Sequence, residues 1–365
     1  MNRTKRIVGT LALVAAFAVA AAACSSDSKT STTSSSSSSS SSAAYDYAKL
    51  TGTLNGSGSS FQDPFDQKVI TDFKAKASGV SVTYTKSGSG AGKTDLQNGV
   101  VQFAGTDSLI KAADLPKFKG TVLYFPTVAA PITVSYKLAG ITKLQLSADT
   151  IAGIFNTSIK TWNDPKIVAE NAGVTLPATP IVVVHRSDAS GTTSNFTRFL
   201  KVAAPTVWTL DSSDTVSWPA TTQGAEKNSG VASVIGSTEG AVGYVDLADA
   251  ANAKLQIAVI KNKAGKYVEA KLPGAEAALA GATVKDDLTY DPINADGDAA
   301  YPITSPTWII VYEKQADAAT ADALKGFLNY ILTDGQKSAN AVGYASLDSG
   351  LADKAIAQLS KITAG

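Results

Sequence analysis

The chain has 365 residues, 17% of them charged, and a formal net charge of +1. That balance gives no support to nucleic-acid binding, which calls for a strong basic excess. The single cysteine excludes an intrachain disulfide, and the single histidine, His185, argues against histidine-rich metal sites and Ser-His-Asp chemistry.

The chain opens with Arg3, Lys5 and Arg6, then an almost wholly apolar run from Ile7 to Ala23. A charged start, a short Ala-rich run and small residues before Cys24 predict a secretory signal peptide over 1–23, too short for a membrane span. A sole cysteine at the cleavage point resembles the lipobox of bacterial lipoproteins, in which the cysteine is lipidated; Ala21 stands where that motif usually has leucine. Ser25 to Ala44, with unbroken serine from Ser34 to Ser42, has no apolar residues to bury. It predicts a disordered tether, spanning 24–47 with the lipidated cysteine. What remains is long enough for two domains of ordinary size.

The body reads as alternating strands and helices, an α/β pattern. "LNGSGSSFQDPF" (54–65) has glycines for tight turns and places Ser59 or Ser60 to cap a helix whose first turn holds Asp63 and Pro64. Phe65, Val69, Ile70 and Phe73 make one face of that helix. Val80 to Tyr84 alternates like a half-buried strand and runs into Gly88-Ser89-Gly90 and a helix through Leu96. Ser87 to Thr94 lacks only the first glycine of a nucleotide-binding P-loop. "FAGTDS" (103–108) puts Asp107 at a strand end. Phe125-Pro126-Thr127 and Tyr301-Pro302-Ile303-Thr304 read as crossings between lobes, since proline among extended residues stiffens the path. Ile181 to Val184 is a β-branched run suited to a central parallel strand. It leads into Arg186, Asp188 and Ser190-Gly191-Thr192, then a helix face of Phe196, Phe199 and Leu200. Trp308 to Tyr312 predicts a strand, and Leu324, Phe327, Leu328, Ile331 and Leu332 a helix after it.

Three of these stretches are strand, small polar turn, helix start. A helix N-terminus offers free N–H groups and a positive dipole end, so each is a ready anion site. Arg186 adds a planar, always-charged fork suited to a tetrahedral oxyanion. Taken singly, such turns are ordinary loop chemistry, Arg186 with Asp188 is a surface ion pair, and Asp107 is a turn former. Taken together, they point to one small anion held in a cleft at the carboxyl ends of strands.

At these residues the chain resembles the phosphate-binding lipoproteins and periplasmic proteins of bacterial phosphate ABC importers. The matching stretches are Gly56 to Phe61, Gly88 to Gly92, Ala104 to Asp107 and His185 to Thr192. "FPTV" at 125–128, "IKTWNDPKI" at 159–167, "GAVGYV" at 240–245 and "YPITS" at 301–305 support them. The resemblance implies a two-lobe periplasmic-binding-protein fold, type II-like, with two crossings and the ligand in the interlobe cleft. Lobe 1 would combine 48–126 with 303–365, and lobe 2 would be 127–302.

The resemblance also implies the contacts. Ser60 would donate through its backbone N–H and hydroxyl, and Phe61 through its backbone N–H. Ser89, Arg186, Ser190, Gly191 and Thr192 would be further donors. Asp107 would accept, and Asp188 would orient Arg186 without touching the anion. Ala189 replaces a frequent glycine, a change in that turn. An ionised carboxylate only accepts hydrogen bonds, so Asp107 would suit a phosphate that carries a proton and would repel sulfate. The implied partners are inorganic phosphate, the membrane-spanning permease subunits of an importer and, through the lipid, the outer face of the cell membrane. The reading includes no catalytic residue, metal, cofactor or nucleic acid, and a monomer.

The rival readings are a binder of another oxyanion, such as sulfate or molybdate, and a phosphate-handling enzyme, either a phosphatase or a P-loop-like hydrolase. No G-x-S-x-G elbow supports the phosphatase. Against the hydrolase, Lys93 is read as coincidental and solvent-facing, and His185 as packing at a strand end. A secondary sensing or adhesive role stays open.

Overall fold

The structure, a computed structural model, describes residues 45–365. The expected signal peptide, Cys24 and the serine run fall outside those residues. Tyr45 and Tyr47, at the end of the expected tether, pack against the body, because their rings have apolar area to bury. The Tyr47 hydroxyl donates to Asn329 Oδ1 at 2.8 Å.

Strand β1 (Gly52–Gly58) runs parallel between β2 (Val80–Thr85) and β3 (Phe103–Thr106). Helix α1 (Asp63–Lys76) joins β1 to β2, and α2 (Ser89–Asn98) joins β2 to β3. Asp63 and Asp66 lie in the first turn of α1 and Lys74 and Lys76 in the last, matching the helix dipole at both ends. Phe65, Val69 and Phe73 are buried as the spacing requires, and Ile70 is half-buried at the margin of that face. The cap of α1 differs from expectation. Gln62 occupies the cap without a side-chain bond, and Ser59 and Ser60 turn elsewhere, as described below.

Strand β4 (Val122–Tyr136) follows, and then, among shorter elements, β5 (Val182–Arg186), α3 (Gly191–Ala203), β6 (Gln223–Ala225), α4 (Lys227–Ser237) and β7 (Ala241–Asp246). The chain closes with β8 (Thr304–Tyr312) and α5 (Ala318–Leu332). The sheet order is β2-β1-β3-β8-β4-β7-β5-β6. The β-branched run at 182–184 lies in β5, parallel to both its neighbours. Strand β8 is antiparallel to both of its own, so the sheet is mixed at its centre.

Both proline-containing crossings lie in or beside this central antiparallel pair. Val122 to Pro131 of β4 pairs with β8, and Ile132 to Tyr136 pairs with β7. One strand therefore serves two halves of the sheet, giving the mixed α/β, two-lobe arrangement. Pro126 sits opposite Trp308, beside a register shift between Pro306 and Trp308. A proline has no N–H for the ladder, and a bulge is where a strand tolerates that loss. The Thr307 hydroxyl fills the gap: it donates to Val128 O at 2.9 Å and accepts from Val128 N at 3.3 Å.

Candidate functional site

The site grows from the turns that leave the carboxyl ends of the strands. After β1, Ser59 Oγ accepts from Phe61 N at 3.0 Å and donates to Asp107 Oδ1. After β3, Asp107 N donates to Ser89 Oγ, the first residue of α2, at 3.3 Å. After β5, Thr192 in the first turn of α3 donates to Asp107 Oδ2 at 3.4 Å. Asp107 thus touches three of the polar turns. Burial pushes its carboxyl up to about 7, against the Ser59 hydrogen bond and the Arg186 charge.

Two glycines let the turns close together. Gly88 has φ +97, and a Cβ there would lie 2.7 Å from Asp188 Oδ2. A Cβ on Gly191 would lie 2.7 Å from Ser89 Oγ and 2.9 Å from Asp107 N. Any side chain at these positions would push apart the turns that carry Ser89, Asp107 and Arg186.

Arg186 is buried and clamped by Asp188. Its Nε donates to Asp188 Oδ1 at 2.7 Å and its Nη2 to Oδ2 at 2.5 Å. Burial acts to raise Asp188, but the Arg186 bonds and charge, with help from Lys227, outweigh it and hold the carboxyl at about 2. A guanidinium has five N–H donors. Asp188 takes two, and Asn228 Oδ1 receives one from Nη1 at 3.4 Å. The remaining two are fixed in direction by the clamp. The Arg186 N–H is held by the Tyr244 hydroxyl at 3.1 Å, which also meets Thr193 Oγ1 at 2.6 Å.

The structure therefore draws Ser60, Ser89, Asp107, Arg186, Gly191 and Thr192 into one buried cluster, with Asp188 behind the arginine. Phe61 is close by, but its N–H is engaged by Ser59 and its ring packs edge-on to Tyr344, with centroids 6.1 Å apart. Ser190 is also committed. Its N–H donates to Asp214 O at 2.9 Å, and its Oγ caps α3 by accepting from Thr193 N at 3.2 Å. Its hydroxyl hydrogen is what it still has to offer.

Several residues of the cluster escaped sequence reasoning. Asn228 is fully buried at the start of α4. It donates to Thr192 Oγ1 at 3.2 Å through Nδ2 and to Ser60 Oγ at 3.3 Å through its backbone N–H. The signal was present: Gln223 to Asn228 is a further strand, polar turn and helix start. Asn195 supports Asp107, donating to its carbonyl at 2.7 Å. Behind the first turn, Gln62 Nε2 donates to Asp66 Oδ2 at 2.8 Å, while Gln62 Oε1 and Asp66 Oδ1 are buried without partners. Burial pushes Asp66 well above the usual carboxylate range. As an acid it has the O–H that Gln62 Oε1 needs.

Lys93 corrects the sequence reading. It is not solvent-facing: its Nζ donates to Asp214 Oδ2 at 2.7 Å and to Ser108 Oγ at 2.9 Å. Its position on α2 turns it toward the other half of the sheet, where a carboxylate compensates its burial. His185 packs at the end of β5 as expected. Its ring stacks on Trp218 with centroids 4.7 Å apart, and burial lowers its pKa. A cleft of about 510 Å³, whose walls include Asp107, Ser108, Asn195, Arg198, Asp214 and Trp308, borders the cluster. Among the described residues, no group of three or more His, Cys, Asp or Glu side chains could hold a metal ion.

Comparison with known proteins bears on the fold and the family. A family model described as a PBP superfamily domain matches residues 18–335. The phosphate-binding protein PstS of Xylella fastidiosa is 34% identical over 302 residues, covering 80% of this chain and 81% of its own. PstS 3 of Mycobacterium leprae is 34% identical over 306 residues, covering 81% and 83%. Among solved structures, a high-affinity periplasmic phosphate-binding protein (PfluDING) bound with phosphate superposes with TM-score 0.69 at 22% identity, covering 84% of this chain and 94% of that one. A putative phosphate ABC transporter substrate-binding protein from Clostridium perfringens gives 0.61 at 18% identity, covering 81% and 100%. At that identity the structures speak for the two-lobe fold, and the sequence relatives speak for the family: this chain belongs to the PstS family of phosphate-binding proteins, within the PBP superfamily.

Proposed function

We propose that the chain binds inorganic phosphate outside the cytoplasm and delivers it to an ABC-type importer by movement of its two lobes. The observation that carries this reading is the convergence on Asp107 of turns from both halves of the sheet, beside an arginine locked by Asp188. Stripping water from a small anion is expensive, and many donors must replace it. Hydrogen bonds that involve a charged group contribute about 1.5–3 kcal/mol each. Hydroxyls of Ser60, Ser89, Ser190 and Thr192, N–H groups at Ser60, Phe61 and Gly191, and the free N–H groups of Arg186 form a set of the required size. Phe61 N–H joins it on release from Ser59.

Asp107 gives the site its preference. Held near neutral pKa by burial, it shares one proton with a protonated phosphate: whichever partner carries it donates to the other. Sulfate brings no proton at neutral pH. Opposite an ionised Asp107 it would leave two bare oxygens facing each other.

The proposed lobes are 48–126 with 303–365, and 127–302, meeting along the shared strand β4. Cys24 carries the proposed lipid anchor, and the serine-rich segment tethers the body to the outer face of the membrane. Permease subunits would recognise the closed form of a monomer. No catalytic role is assigned: Lys93, the one P-loop-like lysine, is committed to Asp214 and Ser108. No helix among the described residues is long and apolar enough to cross a membrane. Calorimetric titration of residues 45–365 with phosphate, sulfate and ATP tests the reading. Phosphate binding alone is expected; ATP binding or equal sulfate binding would sink it.

A further inference from the structure

Among the described residues, one well-buried ion pair joins elements of the two halves of the sheet. Lys93 on α2 and Asp214, in the segment between α3 and β6, meet across the halves at 2.7 Å. Their side chains are only 12% and 14% exposed, so solvent and salt screen the pair weakly. The pair is also tied into the cluster from both sides. Lys93 Nζ donates to Ser108 Oγ, next to Asp107, at 2.9 Å. The Asp214 carbonyl accepts from the N–H of Ser190, the cap of α3, at 2.9 Å. Close by, Gly90 N donates to Ala189 O at 3.1 Å along the same seam.

We propose that Lys93 and Asp214 form a strap between the two lobes that sets how long the anion is held, without touching the anion. The strap rests on the phosphate reading above. Parting the lobes would pull the ammonium from the carboxylate and leave each to regain water. Binding would then set the equilibrium between parted and joined lobes, and the strap would weight it toward joined. A pair that forms only on joining slows release more than it speeds capture, since encounter precedes it. Removing one partner has a second effect, because it strands the other charge in the buried seam. Removing both removes that penalty.

Stopped-flow capture and release of phosphate by the wild type, Lys93→Met, Asp214→Asn, the double variant and the swapped pair Lys93→Asp/Asp214→Lys tests this. Each single variant is expected to release phosphate about tenfold faster, with capture changed less than twofold. The double variant should release no faster than the worse single, and the swapped pair should recover part of the slow release. Melting curves without phosphate separate lost strap from lost fold, and the swap keeps the test decisive if one single variant folds poorly. Release unchanged in the singles, or effects that simply add in the double variant, would overturn the strap while leaving the phosphate reading intact. A wild type that binds no phosphate would overturn that reading, and the strap with it.

Discussion

Replacing Asp107 with asparagine should trade selectivity for stability. The carboxyl is 1% exposed, with Ser59 on one oxygen and Thr192 on the other. Asparagine keeps the shape and one acceptor but can turn an N–H₂ toward the anion. A bare sulfate oxygen then gains a donor where it faced a carboxylate. Leaving a buried polar group unpaired costs about 1–3 kcal/mol, and about 1.4 kcal/mol is tenfold in affinity. Sulfate should therefore bind about ten- to a hundredfold tighter to Asp107→Asn, while phosphate weakens by about tenfold or less. The second arm is stability without anion. The folded protein holds the Asp107 proton up to about 7, whereas an unfolded aspartate releases it near ~3.9. Ionisation thus disfavours the folded form. The stability contributed by the retained proton is fully present below the unfolded value, is lost as pH rises through about 7, and amounts to at most about 4 kcal/mol at ~1.4 kcal/mol per pH unit. Asp107→Asn lacks that loss, so its melting temperature relative to wild type should rise between pH 5 and pH 8. Calorimetry with both anions at pH 8 and melting curves across that range measure both arms. An unchanged phosphate-to-sulfate ratio would refute the acceptor role, whatever the melting curves show.

Three further outcomes follow from the same contacts. Arg186→Lys should weaken phosphate binding about a hundredfold by titration, because one ammonium cannot fork onto Asp188 and still present two fixed donors; Asp188→Asn should weaken it less. Asn228→Ala removes a bond to Thr192 and leaves Arg186 Nη1 without its partner, and should raise the Kd about tenfold. Asp66→Asn should melt near wild type, since an amide supplies the donor that Gln62 Oε1 needs, whereas Asp66→Ala should melt several degrees lower. An Asp66→Asn variant that melts as low as Asp66→Ala would refute the neutral-acid pairing with Gln62.

Much of this was legible in the chain because the chemistry sits in local units. Each expected turn could be read from a strand pattern, a glycine and a hydroxyl within about ten residues. That locality is why Ser89, Asp107, Arg186 and Thr192 were named. What escaped is what the sheet brings together. Lys93 finds Asp214 across 121 positions, and no local pattern reports that pairing. Asn228 reaches Ser60 across 168. Ser59 read as a helix cap because a small hydroxyl before Asp-Pro usually is one. A buried carboxylate, fixed by the parallel pairing of β1 with β3, competes for it and wins. The prolines at 126 and 302, read as crossings, fall within β4 and just before β8. They could not show that these strands form a hydrogen-bonded pair.

That pair gives the molecule the mechanics of a leaf spring. A loop would let one lobe swing freely, but β4 and β8 are joined rung by rung along most of their length. The ladder is already interrupted beside Pro126 and Thr307, the place where bending would cost the fewest rungs. There a single rotatable hydroxyl stands in for a backbone rung. The Gln336 side chain grips the Thr127 carbonyl at 2.9 Å and the Ile331 carbonyl at 2.9 Å, anchoring the flexing point to the end of α5. Flexing confined to that point would leave the hydrogen-bonded rungs on either side of it in place.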